Sequence, residues 1–286
     1  MTPHGLHPSS DSLFAGDDLM YDHGKKAGNQ GDVVKHVALV AVLDTLLSSG
    51  NGTFRYADAF AGYPVSLLTK GGEWSFGIGH LARRGAESSN RHVDLWQKFW
   101  ATDLPLLGST YPGSSNFALR LALSSRRSIK MYLWDIAAGP VAQLQAAYKG
   151  LDVSVSDKPA NPRLLPECDL LLVDPPGVGP KRRYPLLEEL LRLAQSAPAF
   201  LLWLPMLADL RHKSPPESEK SVRWREVGIA SGCHTTSVRW TAGGPVCGCQ
   251  LAYVVPKRSI ASLRAAIDSV VDLTGWSLKE IEHRDP

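Results

Sequence analysis

Short apolar runs closed by turn residues alternate with stretches of helical spacing through most of this chain, and few architectures accept that rhythm. Phe54–Ala59, Lys130–Trp134, Val153–Val155, Leu170–Val173, Phe200–Leu204 and Gln250–Val255 read as strands. Strands covered on both faces are apolar throughout rather than alternating, as these are. Between them Asp32–Ser48, Ser115–Leu123, Gly139–Tyr148, Pro185–Ser196 and Ser259–Val271 read as helices. Regular alternation of the two implies an α/β fold, a doubly wound and mostly parallel sheet. The rhythm lapses over Leu67–Thr110, which carries Gly72-Glu73-Trp74 and then His92–Trp100; this reads as a helical insertion in the first crossover. The expected organisation is a loose tail over 1–20, a helix and first strand over 21–66, the insertion over 67–110, and the rest of the core over 111–286.

At 286 residues and 44% hydrophobic, the chain can bury one large core, which excludes disordered and collagen-like classes. Its longest apolar stretches, Val37–Leu47 and Ala197–Leu207, fall short of the roughly 20 residues a bilayer demands. Met1–Met20 lacks the basic start and apolar run of a secretory signal. Cys168, Cys233, Cys247 and Cys249 form no regular framework, which suits a reducing compartment. A soluble, cytoplasmic protein is expected. Cys233-His234 with Cys247-Gly248-Cys249 matches no common zinc spacing, and no metal is expected. The net charge of +3 is mild, but cations cluster at Lys25-Lys26, Arg83-Arg84, Arg126-Arg127 and Lys181-Arg182-Arg183.

In open α/β sheets ligands sit beyond the carboxyl ends of the strands, so the strand-ending residues are the candidates for chemistry. The first strand ends in Asp58-Ala59-Phe60-Ala61-Gly62, an acid and small residues that let backbone approach a nucleotide-like ligand. Gly62-Tyr63-Pro64 replaces the second glycine of a dinucleotide fingerprint, so no phosphate cradle is expected, and a plain turn is nearly as good a reading. The second strand ends in Asp135, suited to a ribose diol, and Asp157 after the third could accept from an adenine amine or be a surface turn residue.

The sharpest feature follows the fourth strand: Leu170-Leu171-Leu172-Val173 runs into Asp174-Pro175-Pro176. Two prolines remove two backbone donors and stiffen the turn, leaving the Asp174 carboxylate and the Pro175 carbonyl as acceptors at the crevice. Such a pair suits the exocyclic amine of a base, whose lone pair is delocalised into the ring. Two acceptors on its N–H groups favour the pyramidal form and aim the lone pair at an electrophile. The methyl of S-adenosylmethionine is the matching electrophile, with its adenosine held by the acids and no phosphate to cradle. Upstream, Lys35 and His36 sit in the first turn of a helix that Asn29 or Asp32 can cap; they could reach an anionic group or face solvent.

Several stretches in fixed order then resemble the bacterial 23S rRNA adenine-N6 methyltransferases of the RlmJ type. They are Tyr21–His36, Tyr56–Gly62, Gly72-Glu73-Trp74 with Gly77-Ile78, Tyr111-Pro112-Gly113-Ser114, Asp135, Asp157, Leu172–Pro176 and Leu202–Pro205, spanning about residues 21 to 256. The resemblance implies a Rossmann-like class I methyltransferase with a small helical insertion, S-adenosyl-L-methionine as donor, and a flipped adenine of 23S rRNA as acceptor. It implies that Lys35, His36, Asp58, Phe60, Gly62, Ser114, Asp135 and Asp157 bind the donor and that Asp174 and Pro175 carry catalysis. Pro176, Tyr184, Lys181, Arg182 and Arg183 would meet the RNA. The family places an aromatic after Asp-Pro-Pro to stack on the flipped base; Gly177 stands there in this chain, and Tyr184 is a candidate substitute ring. Phe60 stands where the family has His, and Asp135 where it has Glu. A methyltransferase with a different acceptor, or a non-catalytic RNA-binding relative, are the competing readings.

Replacing Lys181, Arg182 and Arg183 by Ala should weaken RNA binding and flatten its salt dependence by about 0.7–0.9 in log–log slope for each phosphate no longer neutralised. Donor affinity, measured in parallel by calorimetry, should stay unchanged; a parallel fall would mean that the run does not meet the RNA.

Overall fold

The computed structural model describes residues 23–85, 87–100, 109–176, 187–208, 218–240, 246–276 and 280–286. The chain opens with a short helix α1 (His23–Lys26) and the long α2 (Gln30–Leu47). Asn29 caps α2: its side-chain oxygen accepts from the Asp32 amide at 2.9 Å, one of the amides a helix start leaves without an internal partner. Asp32 answers by accepting from the Gly28 amide at 2.8 Å. From Val33 to Leu43 every residue of α2 is buried, as an all-round apolar helix must be.

β1 (Phe54–Asp58) follows, then β2 (Val65–Leu67), a 3-10 turn over Glu73–Ser75, α3 (Ile78–Arg84), α4 (Arg91–Trp100) and β3 (Thr110–Pro112). β2 and β3 pair antiparallel as a separate two-stranded sheet that brackets these helices. The rest of the core is α5 (Ser114–Ser124), β4 (Ile129–Trp134), α6 (Ala138–Ala147), β5 (Val153–Ser156), β6 (Leu170–Val173), α7 (Leu187–Ala194), β7 (Phe200–Leu207), α8 (Glu219–Ala230), β8 (His234–Arg239), β9 (Val246–Val254), α9 (Lys257–Thr274) and β10 (Glu280–Arg284).

The eight-stranded sheet has the order β10-β8-β9-β7-β6-β1-β4-β5. From β7 to β5 it is parallel, while β9 is antiparallel to both β7 and β8, and β10 to β8. This is a doubly wound, mostly parallel, Rossmann-like α/β fold. Strand order reverses at β1, which has β6 on one side and β4 on the other, so the crevice lies above the carboxyl ends of these three strands. One core joins α2, α5 and α9 to one face; the other joins α7 and Trp224 of α8 to the opposite face.

Several elements differ from the reading of the sequence. The apolar run ending at Leu204 continues as strand to Leu207, through Pro205. That proline is tolerated because β6 pairs with β7 only as far as Leu202, so it interrupts no ladder bond on that side. β9 begins at Val246 rather than Gln250, and Gly248 is required there: a Cβ would lie 2.3 Å from the Val238 carbonyl of β8. β8, β10 and α8 are additional. β8 buries Thr235, Thr236 and Ser237, whose polar side chains hide it from any hydrophobicity pattern.

The insertion is held at both ends of the long helices. Arg91 and His92 reach Asp44 of α2 at 3.0 and 3.3 Å. His80 and Arg84 both bond the Thr274 carbonyl at the end of α9, where the Arg84 charge complements the helix dipole. Gly77 sits against the α1–α2 turn so closely that a Cβ would lie 2.1 Å from the Gly28 carbonyl.

Gly77→Ala should therefore cost about 2–3 kcal/mol in urea unfolding, the scale of a backbone-level overpacking. Gly85→Ala, at φ 58 with open space around it, should cost only about 1 kcal/mol, from its left-handed conformation alone. Equal effects at the two sites would show that the Gly77 contact carries no strain.

Candidate active site

β1 ends in Asp58, and the chain turns through Ala59-Phe60-Ala61-Gly62 with every amide of the turn occupied. Ala59 donates to the Leu172 carbonyl at 3.0 Å and Ala61 to the Trp134 carbonyl at 2.8 Å, fastening the turn to β6 and β4. Phe60 donates to Asp58 at 3.2 Å and Gly62, at φ 60, to Asp135 at 3.0 Å. A phosphate is bound by a concave set of free N–H groups. No such set is left here, so the turn favours a ligand that brings hydroxyls and amines instead.

The candidate donor residues separate into two groups. Asp58 is fully buried, accepting from Tyr56 Oη at 3.0 Å and Ser114 Oγ at 2.5 Å. Burial outweighs these bonds and pushes its pKa up to about 6. Ser114, the first residue of α5, is buried with it, so both support the turn from beneath. His36 is also beneath: Nδ1 shares a hydrogen with Tyr111 Oη at 2.9 Å, and the ring lies 4.9 Å from that of Phe117. Burial first and the neighbouring Lys35 charge second lower its pKa to about 3, so His36 is neutral and offers no charge to an anion. Phe60 packs against the core on the other face of the sheet.

Asp135 faces the crevice, half-buried at the end of β4. Its Oδ2 accepts from Gly62 and its Oδ1 from the Ala137 amide at 2.8 Å, which fixes the carboxylate while each oxygen keeps a second lone pair. Beside it Ile136 is 52% exposed, an apolar surface next to an acceptor. Asp157 is exposed just after β5, the neighbour of β4.

Across β1, at the end of β6, lies the densest charge in the site. Lys35 Nζ bonds Asp174 Oδ2 at 2.5 Å and Asp32 Oδ1 at 2.7 Å, with the Trp203 ring centroid 5.8 Å away. The Lys35 side chain is 10% exposed and that of Asp174 20%. Burial raises the Asp174 pKa, opposed by the Lys35 charge and hydrogen bond. Burial acts against charge on Lys35 too, but its two carboxylates overcome this and hold the ammonium well above its ordinary range. Burial pushes the Asp32 pKa up, but Lys35, His36 and the Gly28 amide together outweigh it and hold the carboxyl below the usual range. Among the described residues Asp174 Oδ1 has no partner. Pro175 is buried and Pro176 exposed, making the rim.

The structure thus gathers Asp174, Pro175, Pro176 and Lys35 on one side of the crevice and Asp135 and Asp157 on the other, with Gly62 between. Lys181, Arg182, Arg183 and Tyr184 lie outside the described residues, as does Gly177. Asp32, Trp203 and Ile136 are site residues that the sequence reading did not assign. Asp32 at i−3 from Lys35 was a visible signal; the other two have none outside the fold. Cys168, Cys233, Cys247 and Cys249 are all buried, and burial pushes the thiols of Cys168 and Cys233 up to about 11 and that of Cys249 to about 12, so they act as small apolar groups. Among the described residues no group of His, Cys, Asp or Glu is arranged to hold a metal, and no helix is long and apolar enough to cross a membrane.

No family model and no curated protein sequence matches the chain. Solved structures do. LPL1258 from Legionella pneumophila superposes with a TM-score of 0.68 at 18% identity, over 91% of this chain and 98% of that one. A Listeria monocytogenes protein assigned as a class I S-adenosylmethionine-dependent methyltransferase gives 0.42 at 10% identity, over 77% of this chain and 59% of that one. A Pyrococcus horikoshii protein assigned as an RNA methyltransferase gives 0.38 at 11% identity, over 76% and 82%. The first shares the fold of this chain through almost its whole length; the other two overlap too loosely to carry an argument about activity.

Asp58 gives the site a pH signature. Its folded-state pKa, about 6, lies above its ordinary 3.8, so its contribution to stability is complete at low pH and fades as pH rises through about 6. Comparison with Asp58→Asn isolates the effect: the unfolding free energy of the native protein should gain about 2–3 kcal/mol on the variant between pH 7 and pH 4. A constant gap would mean that Asp58 titrates normally.

Proposed function

We propose that this protein is an S-adenosylmethionine-dependent methyltransferase acting on the exocyclic N6 amine of an adenine in 23S rRNA. The observation that carries this reading is Asp174: a carboxylate at the carboxyl end of a central parallel strand, clamped through Oδ2, with Oδ1 free of any partner among the described residues beside the Pro175-Pro176 turn.

S-adenosylmethionine, when bound, supplies an electrophilic methyl on a positively charged sulfur. The residues present suit it. Asp135 can accept from a ribose diol, Ile136 offers an apolar surface to an adenine ring, and Asp157 can accept from the adenine amine. The absence of free amides in the turn over 59–62 fits a nucleoside that carries no phosphate.

Asp174 Oδ1 and the Pro175 carbonyl hold the two N–H groups of the acceptor amine. That grip opposes delocalisation of the nitrogen lone pair into the ring and turns it toward the methyl. As the N–C bond forms, the C–S bond breaks, and the proton released from nitrogen passes to Asp174 or to water. An RNA acceptor is supported by the insertion, which carries the 65% exposed Phe76 and the exposed cations Lys70 and Arg83.

The test is transfer of a labelled methyl to protein-free 23S rRNA, followed by digestion to nucleosides. N6-methyladenine should appear. Asp174→Ala should lower kcat/KM by about 10²–10⁴, the range for removing a positioned acid–base group, with donor Kd within about threefold of the native value. Label on another nucleoside, or undiminished transfer by Asp174→Ala, overturns the proposal.

A further inference from the structure

We infer that Lys35 is a positioning residue for Asp174: anchored by Asp32, its ammonium keeps the Asp174 carboxylate ionised and holds Oδ2, leaving Oδ1 to the acceptor amine. The inference rests on the reading of Asp174 as the group that grips that amine. It departs from the role that resemblance gives Lys35, a direct contact to the donor.

The geometry favours the new role. Lys35 Nζ has three hydrogens, and two are committed, at 2.7 Å to Asp32 and 2.5 Å to Asp174. The side chain is 10% exposed and passes beside Trp203, whose ring is 5.8 Å from Nζ. Gly31 makes the approach possible, since a Cβ there would lie 2.8 Å from the Trp203 ring. An ammonium so enclosed is poorly placed to swing to a donor carboxylate without stranding two buried anions.

The sign of the effect follows from the charged or titratable groups that face Asp174 among the described residues. From α2 come Lys35 and Asp32; from β1, Asp58; from β9, Cys249, whose buried thiol stays protonated. Burial, Asp32 and Asp58 all disfavour a charged Asp174, and Lys35 is the one cation among these groups. A protonated Asp174 keeps an acceptor oxygen but carries no charge to balance the positive nitrogen that forms during transfer.

Lys35→Met should therefore raise the titration of Asp174. The acid limb of kcat/KM against pH should move up by at least about one unit, the scale of an opposite charge at this distance. The loss should be large at pH 6 and shrink as pH rises. Lys35→Arg should restore the limb to within about half a unit, and donor Kd should change less than about threefold in both variants. A limb that stays in place while donor affinity falls tenfold or more would return Lys35 to the donor and overturn the inference.

A second readout needs no turnover. Carbon-13 carboxyl shifts of Asp174, followed by NMR in the full chain, report its titration directly. An unchanged midpoint in Lys35→Met overturns the inference even where rRNA proves to be a substrate. A raised midpoint sustains it even where the rRNA assay fails and the reading of the acceptor falls. If Lys35→Met does not fold, Asp32→Asn decides: freeing Lys35 from its second anion should lower the Asp174 midpoint, and a midpoint that rises or stays is against the inference.

Discussion

One ammonium between two carboxylates joins the start of α2 to the end of β6, and the crevice takes its form from that junction. Taking three charges out of water is costly, and their mutual attraction repays it only with close geometry. Here the partners are 2.5 and 2.7 Å away. The need for such a junction comes from α2 itself. From Val33 to Leu43 it is buried on every side, so packing alone distinguishes poorly between rotations of the helix. Lys35 can reach Asp174 in one rotation. A polar contact in an otherwise greasy interface selects that rotation, in the way a buried polar residue fixes register in a coiled coil.

The same helix start connects the site to the insertion. Asn29 caps α2 and also donates to Glu73 at 3.1 Å, and Glu73 pairs with Lys26. Asp32 accepts from Gly28, which packs under Ile78 of α3. The residues that close α2, orient Lys35 and seat the insertion are thus a single hydrogen-bonded group. An acceptor resting on the insertion would bear directly on the elements that aim Asp174.

Much of this was legible. The apolar run Leu170–Val173 could be little but a buried strand, and Asp-Pro-Pro after it had to be a stiff acceptor-rich turn. Asp32 and Lys35 three residues apart on one helix announced their contact. What could not be read was which long-range partner each charge would take. Asp174 lies 139 residues from Lys35, and nothing local ties the two. Asp58 and His36 look like site residues by position, yet the fold turns both beneath the crevice, because Tyr56, Ser114 and Tyr111 offer them hydrogen bonds there. β8 and β10 were invisible for a related reason: their side chains are largely polar, and the contacts that place them are long-range, as where Thr236 meets Tyr253 and His283.

Asp58 and Asp174 make the physical division of labour plain. Both end parallel strands on the same side of one sheet, and both are pushed toward the neutral form by burial. Asp58 is met by two hydroxyls and an amide, all neutral donors, and accepts them with both oxygens. Such a carboxyl is spent on structure: it ties β1 to α5 and shapes the turn, and, wholly buried, it presents no oxygen to a ligand. Asp174 is met by an ammonium through one oxygen alone. That arrangement gives it a balancing charge without using up its capacity to accept. Two aspartates in equivalent places thus become a strut and, on the function proposed above, a group that grips substrate, and the difference between them lies in the partner each was given.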